Sequence, residues 1–298
     1  MPGSPVCTLA SVRDHTATRI DARPAPALRR YVRSYVGFDL RGFPAGVHCG
    51  PPGRVLTAVI SLSDPLGIGA GIDDGSPVTP FGSVAGGLMC RSVAIHHDGR
   101  QHGVQVSLTP LGARAVYGMP AAALAHRLVP LDELLGALGA ELVDRLRAAP
   151  TWAARFALLD EVFLRAVGRG GGDPLSRVRP EVAEAWRRLV AAQGRVQVGA
   201  VATELGWSRR YLTERFRDEV GLTPKTFARV LRFEHAHELA TAHDPLPWAD
   251  VATACGYADQ AHLVRDWREF TGRSPTAWRH GEVLLGAGDG AGAGAGAG

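Results

Sequence analysis

Several things are scarce or missing in this chain. It has no asparagine and one lysine, Lys225, beside abundant alanine, arginine and glycine. That bias reads as the codon usage of a G+C-rich, bacterial genome and not as a functional signal. Its four cysteines, Cys7, Cys49, Cys90 and Cys255, are scattered, with no C-x-x-C pair. This excludes a disulfide framework or zinc ribbon and fits a reducing cytosol. No apolar run reaches the ~18 residues of a membrane helix, because Gly, Pro or Arg interrupts each stretch. The first twenty residues lack the basic-then-apolar layout of a secretory signal. A cytoplasmic chain with no membrane partner is expected.

Catalytic signatures are missing too. Gly-x-Ser-x-Gly, a P-loop and a strand-to-helix Gly-x-Gly-x-x-Gly are absent; Leu66–Gly71 (LGIGAG) is glycine-rich but lies among expected strands. A methyl-transferring DNA-repair protein needs a reactive cysteine in a recognisable setting, and none of the four has one. His48, Cys49, His96, His97 and His102 invite a metal site, but their spacing matches no zinc pattern, and His96 and His97 would face opposite sides of a strand. The chain is therefore read as no enzyme, with no catalytic residue, no metal and no cofactor. Net charge is +4, and residues 176–282 hold 16 Lys and Arg against 14 Asp and Glu. Charge alone does not point to nucleic acid.

What is present is ample apolar material. At 46% hydrophobic and 21% charged, 298 residues are enough for two packed domains. Residues 1–20 carry no periodicity and read as a flexible arm. Residues 21–167 read as an α+β domain, strands then helices. Its strands are expected at Val55–Leu62, Ser83–Met89, Ser92–His96 and Gly103–Leu108, among turns in residues 47–110. Helices follow from Pro110, with Leu131, Leu134, Leu135, Leu138, Leu142 and Leu146 on one face, then Trp152–Val167. Residues 168–175 form a Gly-rich linker, and the Gly-Ala repeats of 283–298 offer too little apolar surface to order.

The strongest signal is an internal repeat. Val201-Ala202-Thr203-Glu204-Leu205-Gly206-Trp207 recurs as Val251-Ala252-Thr253-Ala254-Cys255-Gly256-Tyr257. With one extra residue in the second copy, Leu212, Phe216, Arg217, Gly221, Pro224 and Phe227 align with Leu263, Trp267, Arg268, Gly272, Pro275 and Trp278. Each copy has the layout of a helix-turn-helix: a short helix (Val198–Leu205; Trp248–Cys255), a glycine suited to a left-handed turn, an aromatic, a candidate N-cap (Ser208; Asp259 or the preceding turn) and a second helix with an i, i+4 apolar pair. Phe227, Leu231, Phe233 and Trp278 fall at buried positions.

The stretches GWSRRYLTERFRDEVGLTPKTFARVLRFEHAHELA and WADVATACGYADQAHLVRDWREFTGRSPTAWRH resemble the AraC-type DNA-binding domain, over roughly residues 176–282. The resemblance implies an all-α C-terminal domain in which two helix-turn-helix units are joined by a long linker helix, here about Thr226–Thr241. Their second helices would enter successive major grooves about one turn apart. Carried over by position, Arg210, Thr213, Glu214, Gln260, Ala261, His262 and Arg265 would face bases, and Arg209, Arg217 and Arg268 phosphates. Many members place Arg or Gln where Glu214 stands; either Glu214 reads cytosine or Arg215 compensates from the flank. The resemblance implies a transcription regulator whose partners are double-stranded promoter DNA, a second copy of the chain as a homodimer, a small-molecule effector and RNA polymerase. Residues 47–110 would wall the effector pocket and helices in 131–167 would form the dimer surface or a brace. The ligand-binding residues stay unknown, and a first domain that only docks a partner protein is the alternative.

Overall fold

The computed structural model describes residues 6–12, 15–71, 75–169, 171–242 and 244–281. Strands dominate the first third: β1 (Val6–Val12), β2 (His15–Ala22), β3 (Val32–Arg41), β4 (Gly46–Gly50), β5 (Leu56–Ser61), β6 (Leu66–Gly69), β7 (Thr79–Phe81), β8 (Ser83–Gly86), β9 (Val93–His97) and β10 (Gln101–Leu108). After α1 (Gly112–Tyr117) a short β11 (Leu128–Pro130) returns to the sheet, and α2 (Leu131–Leu135), α3 (Ala137–Ala148) and α4 (Trp152–Gly168) follow. The second half is helical: α5 (Pro180–Ala191), α6 (Val198–Glu204), α7 (Arg209–Val220), α8 (Pro224–Ala240), α9 (Trp248–Ala254), α10 (Gln260–Thr271) and α11 (Pro275–Gly281). Among the described residues no helix is long and apolar enough to cross a membrane.

The strands form two antiparallel sheets, a seven-stranded one in the order β1-β2-β3-β10-β5-β8-β11 and a four-stranded one in the order β4-β9-β6-β7. Alternation gives the larger sheet two different faces. Leu56, Ala58 and Ile60 of β5 and Val104, Val106 and Leu108 of β10 point into the main core, with Leu135, Phe156, Leu159 and Phe163 of the helices. Val59 and Val84 turn the other way and pack with Leu66, Ile68 and Ile95 of the smaller sheet. The sandwich therefore has a dense helical side and a thinner inter-sheet side.

The structure corrects the sequence reading in three places. Residues 6–12 and 15–20 are not a loose arm but strand. β2 pairs with β3 from Thr16↔Arg41 to Ala22↔Tyr35, and β1 pairs with β2. Short segments can extend a sheet already held by its neighbour, so they need little hydrophobic pattern of their own. Residues 131–146 do not form one helix, since Gly136 (φ 59) breaks the run into α2 and α3. The segment between α1 and α2 contributes β11 instead of continuing as helix. The expected Gly-Ala tail, residues 283–298, and the first five residues of the expected arm lie outside the described residues.

The Gly-rich segment joins α4 to α5 but does not separate two independent cores. One cluster of buried apolar side chains runs from Tyr35 and Leu108 through Phe163 to Leu189, Phe216, Phe233 and Trp267. Polar contacts reinforce the junction. Arg114 of α1 donates Nε and a terminal amine to the Glu219 carboxylate of α7 at 2.7 Å each, and Glu219 is 9% exposed. Arg54 Nε lies 2.6 Å from Glu234 of α8, and its terminal amine 3.1 Å from Glu238. Ser92 donates both its amide (2.7 Å) and its hydroxyl (2.9 Å) to the Phe270 carbonyl of α10.

Candidate nucleic-acid interface

The same local chemistry builds the helix pairs α6–α7 and α9–α10. Each first helix ends at a glycine in the left-handed region, Gly206 (φ 71) or Gly256 (φ 74), a conformation that costs a side-chain-bearing residue about 1 kcal/mol or more. The next residue then donates its amide back into the first helix, Trp207 to Ala202 and Tyr257 to Ala252, both at 2.9 Å. Ser208 Oγ caps α7 by accepting from the Tyr211 amide at 3.2 Å. Asp259 caps α10 by accepting from the His262 amide at 2.6 Å, which settles the second cap. Leu212 with Phe216, and Leu263 with Trp267, are fully buried. α8 runs between the pairs and begins two residues before the expected start, at Pro224, capped by Thr223.

With the apolar pairs turned inward, each second helix leaves a polar face outward. On α7, Arg209, Arg210 and Arg217 are exposed. Thr213 and Glu214 are half-buried. Thr213 donates its hydroxyl to the Arg209 carbonyl at 2.8 Å. Glu214 accepts from Arg210 Nε at 3.0 Å, while the Arg210 side chain is 90% exposed. Arg215 does not share that face: its guanidinium lies over the Tyr211 ring, 5.4 Å from the centroid, and 3.5 Å from Asp218. On α10, Gln260, Ala261, Arg265 and Arg268 are exposed. His262 is half-buried, its ring edge-on to Tyr257 at 5.1 Å and its Nε2 4.0 Å from Asp266. Arg209, Arg217, Arg265 and Arg268 make no side-chain ion pair among the described residues.

The groups that position these faces carry no signature in the sequence. Arg229 of α8 donates to Asp266 (2.8 Å) and to Glu269 of α10 (2.5 Å), and the two carboxylates hold its pKa above the usual arginine value. Asp266 is 4% exposed, so α8 fixes the roll of α10 through a buried pair. Glu219 and Arg114 stand 105 residues apart. One hint was available: Glu234 and Glu238 are like charges at i, i+4, which repel unless a cation lies across them. Arg54 is that cation, and burial still pushes the Glu234 carboxyl up despite it.

A cavity of about 250 Å³ lies between the two sheets. Val59, Ile68, Val84 and Ile95 make its apolar wall, and Thr57, Gln105 and Ser107 a polar strip on β5 and β10; Glu234, His237 and Glu238 close one end. His48 and Cys49 also line it. Burial, and then the neighbouring His97 ring at 5.5 Å, lowers His48 from its ordinary 6.5 to about 4, so it is neutral near pH 7. His96, His97 and His102 sit on β9 and β10; His102 stacks edge-on against Trp152 instead of joining the other histidines.

Comparison with known proteins places the C-terminal part. A family model described as a helix-turn-helix domain matches residues 201–281. The HTH-type transcriptional activator RhaR of Escherichia coli (strain K12) is 34% identical over 77 residues, 26% of this chain and 27% of that protein. The chain thus spans about a quarter of the length of the curated relatives it matches. Among solved structures, the C-terminal domain of AraT, a response regulator from Geobacillus stearothermophilus, is 25% identical with a TM-score of 0.34, covering 38% of this chain and 94% of that one. ToxT from Vibrio cholerae O395 is 10% identical with a TM-score of 0.46, covering 92% of this chain and 99% of that one. The resemblance to AraC-type regulators holds over the matched C-terminal segment.

Proposed function

We propose that the chain is a sequence-specific, AraC-type DNA-binding transcription regulator, with α6–α7 and α9–α10 acting as two helix-turn-helix units joined by α8. One observation carries the reading. The same turn, back-bond and cap occur twice, and each time they leave a second helix with an uncovered, arginine-bearing face. Such helices fit the major groove, and two on one scaffold fit successive grooves.

In this reading Arg210, Thr213, Glu214, Gln260, Ala261, His262 and Arg265 face base edges, and Arg209, Arg217 and Arg268 hold phosphates. Glu214 occupies only Nε of Arg210, which leaves the two terminal amines free to fork onto guanine O6 and N7. Arg215 is committed to Tyr211 and Asp218, so Glu214 and not Arg215 serves the base-facing side. The inter-sheet cavity is the seat of a small-molecule effector. Its end wall belongs to α8, so an occupant touches the helix that joins the two units. Promoter DNA, a second copy of the chain and RNA polymerase are the macromolecular partners.

Selection of random duplexes with the purified full-length chain tests the reading. Two conserved half-motifs about 10–10.5 base pairs apart are expected. Each phosphate contact should steepen the slope of log affinity against log salt by about one unit. Recovery of no motif, or of a single unpaired one, overturns it.

A further inference from the structure

A second cavity, of about 380 Å³, opens where the Gly-rich segment passes α1 and the end of α4. It shares no residue with the inter-sheet cavity. The end of α1, the end of α4 and residues 171–177 bound it, and three arginines line it: Arg114, Arg169 and Arg177. Two charges there are already matched. Arg114 faces Glu219, and Asp173, which caps the Leu175 amide at 3.0 Å, lies 3.9 Å from Arg30. Arg169 and Arg177 remain uncompensated. Arg169 gives one terminal amine to the Leu135 carbonyl at 2.9 Å and makes no ion pair among the described residues; Arg177, exposed, makes none either.

Tyr117 supplies an independent observation. It lines the same cavity, it is 6% exposed, and its hydroxyl has no hydrogen-bond partner among the described residues. A buried hydroxyl left unpaired is unfavourable; it is sealed from solvent, and an acceptor oxygen that reaches it as the cavity wall gives relieves it. Guanidinium groups with spare donors recognise phosphoryl oxygens through paired N–H bonds.

We infer that this cavity binds a small phosphoryl-bearing anion, held by Arg169 and Arg177 and by donation from the Tyr117 hydroxyl. The bound anion competes with Glu219 for Arg114. Glu219 sits in the last turn of α7, so occupancy loosens the hold of the first domain on that helix. The binding stands independently of the function proposed above; its effect on DNA rests on that reading.

The test is calorimetric titration of the full-length chain with inorganic phosphate at fixed ionic strength, without DNA, with acetate in parallel. Saturable binding of one phosphate per chain is expected, tighter than acetate. Arg177→Ala, at an exposed position, should weaken it about tenfold, the scale of one charged hydrogen bond. Tyr117→Phe should leave the melting temperature unchanged or higher, since it removes an unpaired hydroxyl, while weakening phosphate. Non-saturable heats, or affinity indifferent to both substitutions, overturn the site and mark phosphate as an adventitious ion only. In a second arm, phosphate should shift the DNA affinity of the native chain but not of Arg114→Ala. Saturable phosphate binding with unchanged DNA affinity overturns the coupling. Loss of the DNA-binding reading alone leaves the calorimetric result standing.

Discussion

The two helix pairs share turn, cap and buried apolar pair, yet they are anchored differently. α10 is gripped from within its own half, by Arg229 on Asp266 and Glu269. α7 is gripped across the seam, by Arg114 of the first domain on Glu219. The outward faces differ as well: Arg265 is unpaired among the described residues, whereas Arg210 is braced by Glu214. The charged anchor of α10 thus comes from α8 and that of α7 from the first half, while Ser92 ties α10 across the seam through the Phe270 carbonyl.

Breaking each anchor in turn sharpens the contrast. The largest effect is expected from Arg229→Ala, which strands Asp266 at 4% exposure; a stability loss of about 3 kcal/mol should appear in urea unfolding. Arg114→Ala should cost about 2 kcal/mol by the same assay, and adding Glu219→Gln should recover part of it because the orphaned charge is gone. A double variant as damaged as the sum of its parts would show that the two residues do not act as a pair. Arg265→Ala should leave stability alone and relax base preference at one position, by about 1.5 kcal/mol in competition binding. A uniform loss across sequences would make Arg265 a phosphate contact.

The smallest expected effect lies far from α7 and α10. The folded-state pKa of His48 lies below its ordinary value, so the unfolded chain binds more protons between about pH 6.5 and 4. Stability should therefore fall as pH drops through that window. His48→Gln should flatten the slope by about 1 kcal/mol at pH 5.5, read from unfolding curves at pH 7.5 and 5.5.

The repeat was legible because helix spacing, caps and turn glycines are written within a dozen consecutive residues. Leu212 with Phe216 and Leu263 with Trp267 declare a buried face by interval alone. Val55–Leu62 and Gly103–Leu108 were legible as β-branched runs, and β5 and β10 cover most of each. The hairpin of β1 and β2 was not, because its support comes from β3, itself unmarked by strong alternation. The break at Gly136 was hidden by leucines that continue in step on both sides of it. The anchors were least visible of all: Arg114 with Glu219 and Arg54 with Glu234 pair across 105 and 180 residues, and no local spacing encodes such a meeting. The bracing of Arg210 by Glu214, by contrast, is encoded locally, at i, i+4.

Ser92 turns the seam into something that can be timed. Its backbone proton is tied to the Phe270 carbonyl, in the other half of the chain. Solvent deuterium replaces that proton when the bond to Phe270 opens, so its protection reports how firmly the halves are held there. A ligand or operator that pries the domains apart would announce itself there, at a single amide, before any change in overall shape.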